Sequence, residues 1–206
     1  RGLKDTIDLM DSVSPITKRF GLVAATVTDY PNVEEVAGHC IEKGYELSVS
    51  SLRLDSLSST LLKTLRLSKQ SSFTIAPEGG SQRMRDAFSK GISDRDIVKA
   101  LELGRENGFR KVKMYYIFGA VFEDSEDRQG IVRTAKKAKR MGYSSVTLSL
   151  NPLIPKPGTP FEGMPMESIG NLRKYEREIR SELAMEGIKI DFESLRESQI
   201  QFALAN

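Results

Sequence analysis

The sequence predicts an α/β fold in which parallel strands are joined by helices, and three observations carry that reading. Strand-length apolar runs alternate with helical patterns at intervals of roughly 25 to 40 residues. The run at residues 20–28 is nearly unbroken in its apolarity, as expected where helices cover both faces. The segments between runs are helix-length rather than two-residue turns, so neighbouring strands are parallel and linked by right-handed crossovers. An open doubly wound sheet and part of a (β/α) barrel both fit. At 206 residues the chain is shorter than the roughly 250 of a complete eight-fold barrel. No G-x-G-x-x-G follows the first strand and no G-x-x-x-x-G-K-[ST] occurs, which counts against the dinucleotide and P-loop open sheets.

The elements follow in order. Leu3, Ile7 and Met10 recur at helical spacing, and Pro15 stops a helix over 1–17 whose abrupt start reads as a cut fragment. A strand over 20–28 leads to Asp29. Asn32 with Glu35 resembles a capping box for a helix that Gly44 ends. Residues 45–50 form a strand, 58–67 a helix. Phe73, Thr74 and Ile75 make the next strand, Pro77 ends it, Gly79 and Gly80 turn the chain, and Ser81 caps a short helix running to Lys90-Gly91. Ser93 and Asp96 open a helix closed by Gly108. A strand over 111–118 ends at Gly119, and Asp124 with Asp127 caps a helix to Met141. A strand over 145–150 ends at Asn151. The following stretch holds Pro152, Pro155, Pro157, Pro160 and Pro165, and reads as stiff and extended. Leu172, Tyr175, Ile179 and Leu183 line a helix, 188–192 form a strand, and 195–205 a last helix. One domain spans 1–206, with 162–206 a C-terminal extension.

Net charge is +3 from 31 basic and 28 acidic residues, too balanced to argue for nucleic acid or membrane. No apolar run nears the ~20 residues of a membrane span and no signal-peptide pattern is present, so a soluble cytoplasmic protein is expected. Cys40 and His39 are the only cysteine and histidine, so neither a disulfide framework nor a Cys/His metal cage can form within the chain. Cys40 reads as a small buried hydrophobe and His39 as solvated or capping.

The strand-exit residues are polar or glycine: Asp29, Ser51 and Arg53, Glu78, Gly119 with Glu123, and Asn151. Ligands bind at that rim in α/β sheets and barrels, so Glu78, followed by two glycines, is a site candidate. The competing reading is a carboxylate that organises its turn or pairs with Arg83 or Arg85.

Four strings, SLRLDSLS, TIAPEGGSQRMRDAFSKGIS, KMYYIFGAVFEDSED and NPLIPKPGTPF, resemble in order the corresponding segments of radical S-adenosylmethionine (SAM) enzymes. The resemblance is to a branch of often uncharacterised Fe-S oxidoreductases carrying A-P-E-x-G-[ST]-x-R-[LM]-R, and it covers about residues 20–161. It implies a partial (β/α) TIM-like barrel of about five to six parallel strands with helices outside, lacking the first strand. It further implies SAM bound across the carboxyl-end rim and cleaved, on reduction by a [4Fe-4S] cluster, to a 5′-deoxyadenosyl radical that takes hydrogen from an unknown substrate. By analogy Glu78 meets the ribose hydroxyls, Lys90 or Arg83 the methionyl carboxylate, Gly119 the adenine, and Ser51 and Asn151 the same rim. A reductant such as a flavodoxin or ferredoxin is the implied partner.

Departures matter equally. The cluster's C-x-x-x-C-x-x-C loop is absent, so its ligands are expected upstream, and this fragment alone is expected neither to cleave SAM nor to bind it strongly. The fifth-strand motif keeps Gly119 and Glu123 but lacks its proline. A noncatalytic barrel module that has lost the cluster stays open, as does a barrel lyase or aldolase using Lys90 or Lys113 as a Schiff-base nucleophile. Lys136, Lys137, Lys139 and Arg140 read as a basic final turn complementing the helix dipole, with RNA, which some members of the family modify, as the alternative. Arg53 with Asp55 reads as a local ion pair, and Met114, Tyr115 and Tyr116 as ordinary strand packing rather than a stacking platform.

Overall fold

The computed structural model describes residues 2–24, 26–49 and 52–205. The order is α1 (Leu3–Val13), β1 (Arg19–Leu22), α2 (Val33–Lys43), β2 (Glu46–Val49), α3 (Ser59–Leu67), β3 (Ser72–Glu78), α4 (Gln82–Ala87), α5 (Asp94–Glu106), β4 (Lys111–Phe118), α6 (Ser125–Arg140), β5 (Ser145–Pro152), α7 (Ile169–Leu183), β6 (Lys189–Phe192) and α8 (Leu195–Ala205). Among the described residues every strand pair is parallel, in a two-stranded sheet β1-β2 and a four-stranded sheet β3-β4-β5-β6. This is an α/β fold consistent with part of a barrel. The described strands form no closed barrel.

A main cluster of buried side chains joins helix residues such as Val36, Leu61, Leu101 and Ile131 to strand residues such as Phe73, Met114 and Leu148. Strands β4 and β5 bury alternate residues: Val112, Met114, Tyr116 and Phe118 on one, Val146, Leu148 and Leu150 on the other. The buried set shares one cluster with Ile131, Val132 and Ala135 of α6, as the two-residue period of a strand under a helix requires. Beside it α5 lays Gly104 against Phe73 of β3 and Tyr143, whose hydroxyl donates to the Leu101 carbonyl at 2.9 Å. Helix starts follow the sequence closely. Ser58, Ser81, Ser93, Asp124 and Ser168 each accept a cap bond, and Ser93/Asp96 and Asp124/Asp127 are full capping boxes.

Four expectations need correction. The apolar run 20–28 gives a strand of four described residues, β1 pairing with β2 as far as Leu22↔Val49 among the described residues; Val27 then turns into the core within a 3-10 turn. Pro77 does not end β3. The register shifts between Ile75 and Glu78, so an extra residue is accommodated there and the proline's missing N–H breaks no regular ladder. Asn32 makes no side-chain cap, its backbone (φ −105, ψ 25) lying outside the extended region that capping uses. His39 is neither solvated nor capping: its Nε2 lies 2.8 Å from Asp11 Oδ1, which also accepts from the Tyr45 hydroxyl at 2.9 Å, tying α2 to α1. The His39 and Tyr45 hydrogen bonds hold the Asp11 carboxyl below its usual range.

Cys40 is fully buried, as its composition suggested. Tyr116 and Met114 are buried beneath the helices, as expected for packing residues; Tyr115, grouped with them, is half-buried on the opposite face with Lys113 Nζ 4.8 Å from its ring centre. No described helix is long and apolar enough to cross a membrane.

Candidate functional site

Because the strands are parallel, their carboxyl ends form one rim. Glu78 aligns with Tyr116, and Asn151 with Ile117 one row on, so the exits of β3, β4 and β5 are adjacent. Glu78, Gly119 and Asn151 therefore gather at the same end of the sheet. Ser51 lies outside the described residues.

Glu78 is held in the left-handed region (φ 67), where the Gly79 N–H donates to the Pro77 carbonyl across it at 2.8 Å. That conformation costs a non-glycine residue roughly 1–2 kcal/mol and is kept only where its surroundings enforce it. Enforcement comes from the turn below. Arg85 is fully buried and donates to the carbonyls of Gly79 (3.2 Å) and Ile92 (2.9 Å), to Gln82 Oε1, and to Asp94 at 2.5 Å. Gly80 meets Gly130 of α6 so closely that a Cβ on either would collide with the other's neighbourhood: the Asp127 carbonyl from Gly80, the Gly80 carbonyl from Gly130. Only glycine permits that approach.

The Glu78 carboxylate pairs with Lys90 Nζ at 3.0 Å, not with Arg83 or Arg85. Lys90 lies beyond the end of α4, and its ammonium remains half-exposed. Arg83 instead braces the next loop, bonding the Phe122 carbonyl at 3.2 Å and pairing with Asp127 and, at 3.4 Å, Asp124. Asp127 also accepts from the Ser81 hydroxyl, so one carboxylate joins the starts of α4 and α6.

Gly119 (φ 73) packs against Leu172 of α7, which fills the space a Cβ would need. Its N–H donates to Glu123 Oε2 at 2.6 Å. Glu123 is buried, and burial pushes its carboxyl up to about 7. Its Oε1 has no hydrogen-bond partner among the described residues, and Arg128, stacked 3.8 Å over Tyr175, approaches only to 3.7 Å. Beside this, Met84, Ala120 and Leu153 form a small apolar cluster with Phe88, Phe122 and Phe161. Phe161, from the proline segment, stacks on Phe122 (6.2 Å) and meets Phe88 edge-on (5.7 Å), seating that segment on the rim.

Sequence reasoning missed Arg85, Asp127's bridging role and Arg128. An arginine inside a polar helix looks solvated, and only the fold reveals that the partners of Arg85 are backbone carbonyls. Asp127 was visible as a capping residue, not as a tie between loops.

Among the described residues no three His, Cys, Asp or Glu side chains converge as a metal site. Burial pushes the Cys40 thiol up to about 11, against the thiolate that cluster ligation requires. The described residues therefore do not fit an iron–sulfur cluster.

No family model matches the chain. The uncharacterized protein MJ0966 of Methanocaldococcus jannaschii is 34% identical over 207 aligned positions, which span 100% of this chain and 45% of that protein. The chain thus covers just under half the length of this curated relative. Among solved structures, SuiB of Streptococcus suis superposes with a TM-score of 0.58 over 94% of this chain and 44% of its own, at 11% identity. SuiB bound to S-adenosylmethionine gives 0.57 over the same shares, and SuiB bound to the precursor peptide SuiA gives 0.58 over 100% and 45%. At 11% identity, what these superpositions establish is a shared fold.

Proposed function

We propose that this chain is the SAM-binding wall of a radical SAM protein, with the cluster held by residues outside these 206. The observation that carries the reading is Glu78: a carboxylate forced into left-handed backbone at a strand exit, beside Lys90, on the rim that also carries Asn151. Backbone strain of this kind clusters at ligand-binding positions. The four motif strings and the fold shared with SuiB, which has been crystallised with SAM, support it.

In this reading Glu78 accepts hydrogen bonds from two ribose hydroxyls. The half-exposed ammonium of Lys90 turns its remaining N–H groups to the methionyl carboxylate, while its bond to Glu78 fixes both partners. Arg83, already engaged with Asp127 and Phe122, positions the β4-exit loop. Gly119 and Asn151 line the rim at the neighbouring strand exits, and the Phe88, Phe122 and Phe161 rings exclude water. SAM, when bound, would supply the reactive group. The part of this chain is to bind and orient it.

The two sheets fit a barrel that continues past β1. The outer edge of β1 has no partner strand among the described residues, and a groove of about 590 Å³ between α1 and β1 is lined by Leu9, Met10, Val13 and Phe20. A further parallel strand would satisfy that edge and cover that groove.

Calorimetric titration of the chain with SAM tests the proposal. Weak binding is expected, falling at least tenfold with Glu78→Ala, since a charge-assisted hydrogen bond contributes about 1.5–3 kcal/mol. Equal affinity in wild type and Glu78→Ala would overturn it.

A further inference from the structure

The interior of a (β/α) barrel is ordinarily filled by layers of bulky branched side chains. The face of β4, β5 and β6 turned away from the helices is different. Register places Lys113, Thr147 and Lys189 in one row across the three strands, and Tyr115, Ser149 and Asp191 in the next row toward the rim. Alternation sets these residues opposite the buried Met114, Leu148 and their neighbours, and all six are exposed or half-buried. A parallel sheet with one face so polar is unusual, because such sheets are normally covered on both sides.

Three groups on this face have unused hydrogen-bonding capacity. Among the described residues, the Thr147 and Ser149 hydroxyls and the Lys113 ammonium make no hydrogen bond to a protein atom; Lys113 Nζ lies 4.8 Å from the centre of the Tyr115 ring. Asp191 offsets Lys189 at 3.6 Å. The unbalanced charge of the two rows is therefore that of Lys113. Asn151 continues the same face one row further, at the rim.

We infer that this face is a binding floor for a small anionic ligand that also carries hydroxyl groups. Lys113, with the Thr147 hydroxyl beside it, would take the phosphate or carboxylate, and Ser149 and Asp191 the hydroxyls. As the substrate floor beneath the rim site the inference rests on the proposed function; as a binding site it stands on these two rows alone.

The probe is glycerol 3-phosphate, followed through the backbone amides of the full 206-residue chain by NMR, with glycerol as the uncharged control. Saturable shifts at Lys113, Thr147 and Ser149 are expected with the phosphate ester and not with glycerol. Affinity should fall about tenfold in Lys113→Met, less in Thr147→Val, and not at all in Lys139→Met on the outer helix α6. Shifts elsewhere, no shifts, or unchanged affinity in a folded Lys113→Met would overturn the inference. SAM titrated into the same samples separates the two readings. Loss of the SAM response in Glu78→Ala with the phosphate response intact supports two sites, whereas a phosphate response lost equally in Glu78→Ala would assign the anion to the rim and overturn the floor.

Discussion

The β1–β2 sheet and the β3–β6 sheet are built from the same strand-helix repeat, yet they differ in what fixes their strands. The most uniformly apolar run in the chain, 20–28, makes a strand of four residues, while the mixed run Lys111–Phe118 makes one of eight. Between β4 and β5 eight residue pairs are in register; between β1 and β2 there are four among the described residues. Strand length here follows the partner available rather than the apolarity of the segment. Among the described residues β1 has one short neighbour and no strand on its other side, with nearby Val23 and Ile16 left 87% exposed; β4 is flanked on both sides. The first sheet depends on its helices, through ties such as His39–Asp11–Tyr45, whereas the second has long ladders and rim loops laced by Arg85, Asp127 and the Gly80–Gly130 contact.

That contrast can be broken most forcefully at the rim. Gly80→Ala should cost about 3 kcal/mol or more, because the added methyl meets backbone that cannot withdraw, whereas Gly21→Ala in β1, whose Cβ would reach Ser48 Oγ at an ordinary 3.4 Å, should cost under about 1 kcal/mol. Urea unfolding midpoints check both, and equal losses would erase the distinction.

Glu123 gives the next largest effect. Its folded pKa, about 7, lies above the ordinary 4.5, so the folded state binds the proton more tightly than the unfolded state does. The resulting contribution is full below about pH 4.5 and is lost as pH rises through 7, up to about 3 kcal/mol in all. Glu123→Gln should remove that slope, as read from unfolding free energies between pH 4.5 and 8. A smaller difference is expected in amide exchange, with β1 and β2 exchanging at least tenfold faster than the centres of β4 and β5. Smallest is Arg53→Ala: the Arg53–Asp55 pair, 2.6 Å apart, lies on an exposed turn screened by solvent, and its loss should leave the urea midpoint essentially unmoved.

Local chemistry made much of this legible. Ser93/Asp96 and Asp124/Asp127 announce their capping boxes by identity and spacing, and the Gly79-Gly80 turn follows from composition. What stayed hidden depends on contacts distant in sequence. The Glu78–Lys90 pair spans a helix, Arg85 finds its carbonyls only once Gly79 and Ile92 have folded around it, and His39 meets Asp11 across 28 residues. Glu78, Gly119 and Asn151 lie at strand ends as expected, whereas Asp29 falls in a 3-10 turn well past the end of β1 and Ser51 is outside the described residues. The partner of Glu78 was not legible, since ion-pair choice among Arg83, Arg85 and Lys90 is set by the path of the turn.

The most direct test of a nucleoside-binding rim is an amide shift map of the chain titrated with SAM. Concerted shifts at Glu78, Gly119 and Asn151, with β1 and α1 unmoved, are the expected result. Shifts confined to the apolar groove between α1 and β1, leaving those three residues still, would contradict it.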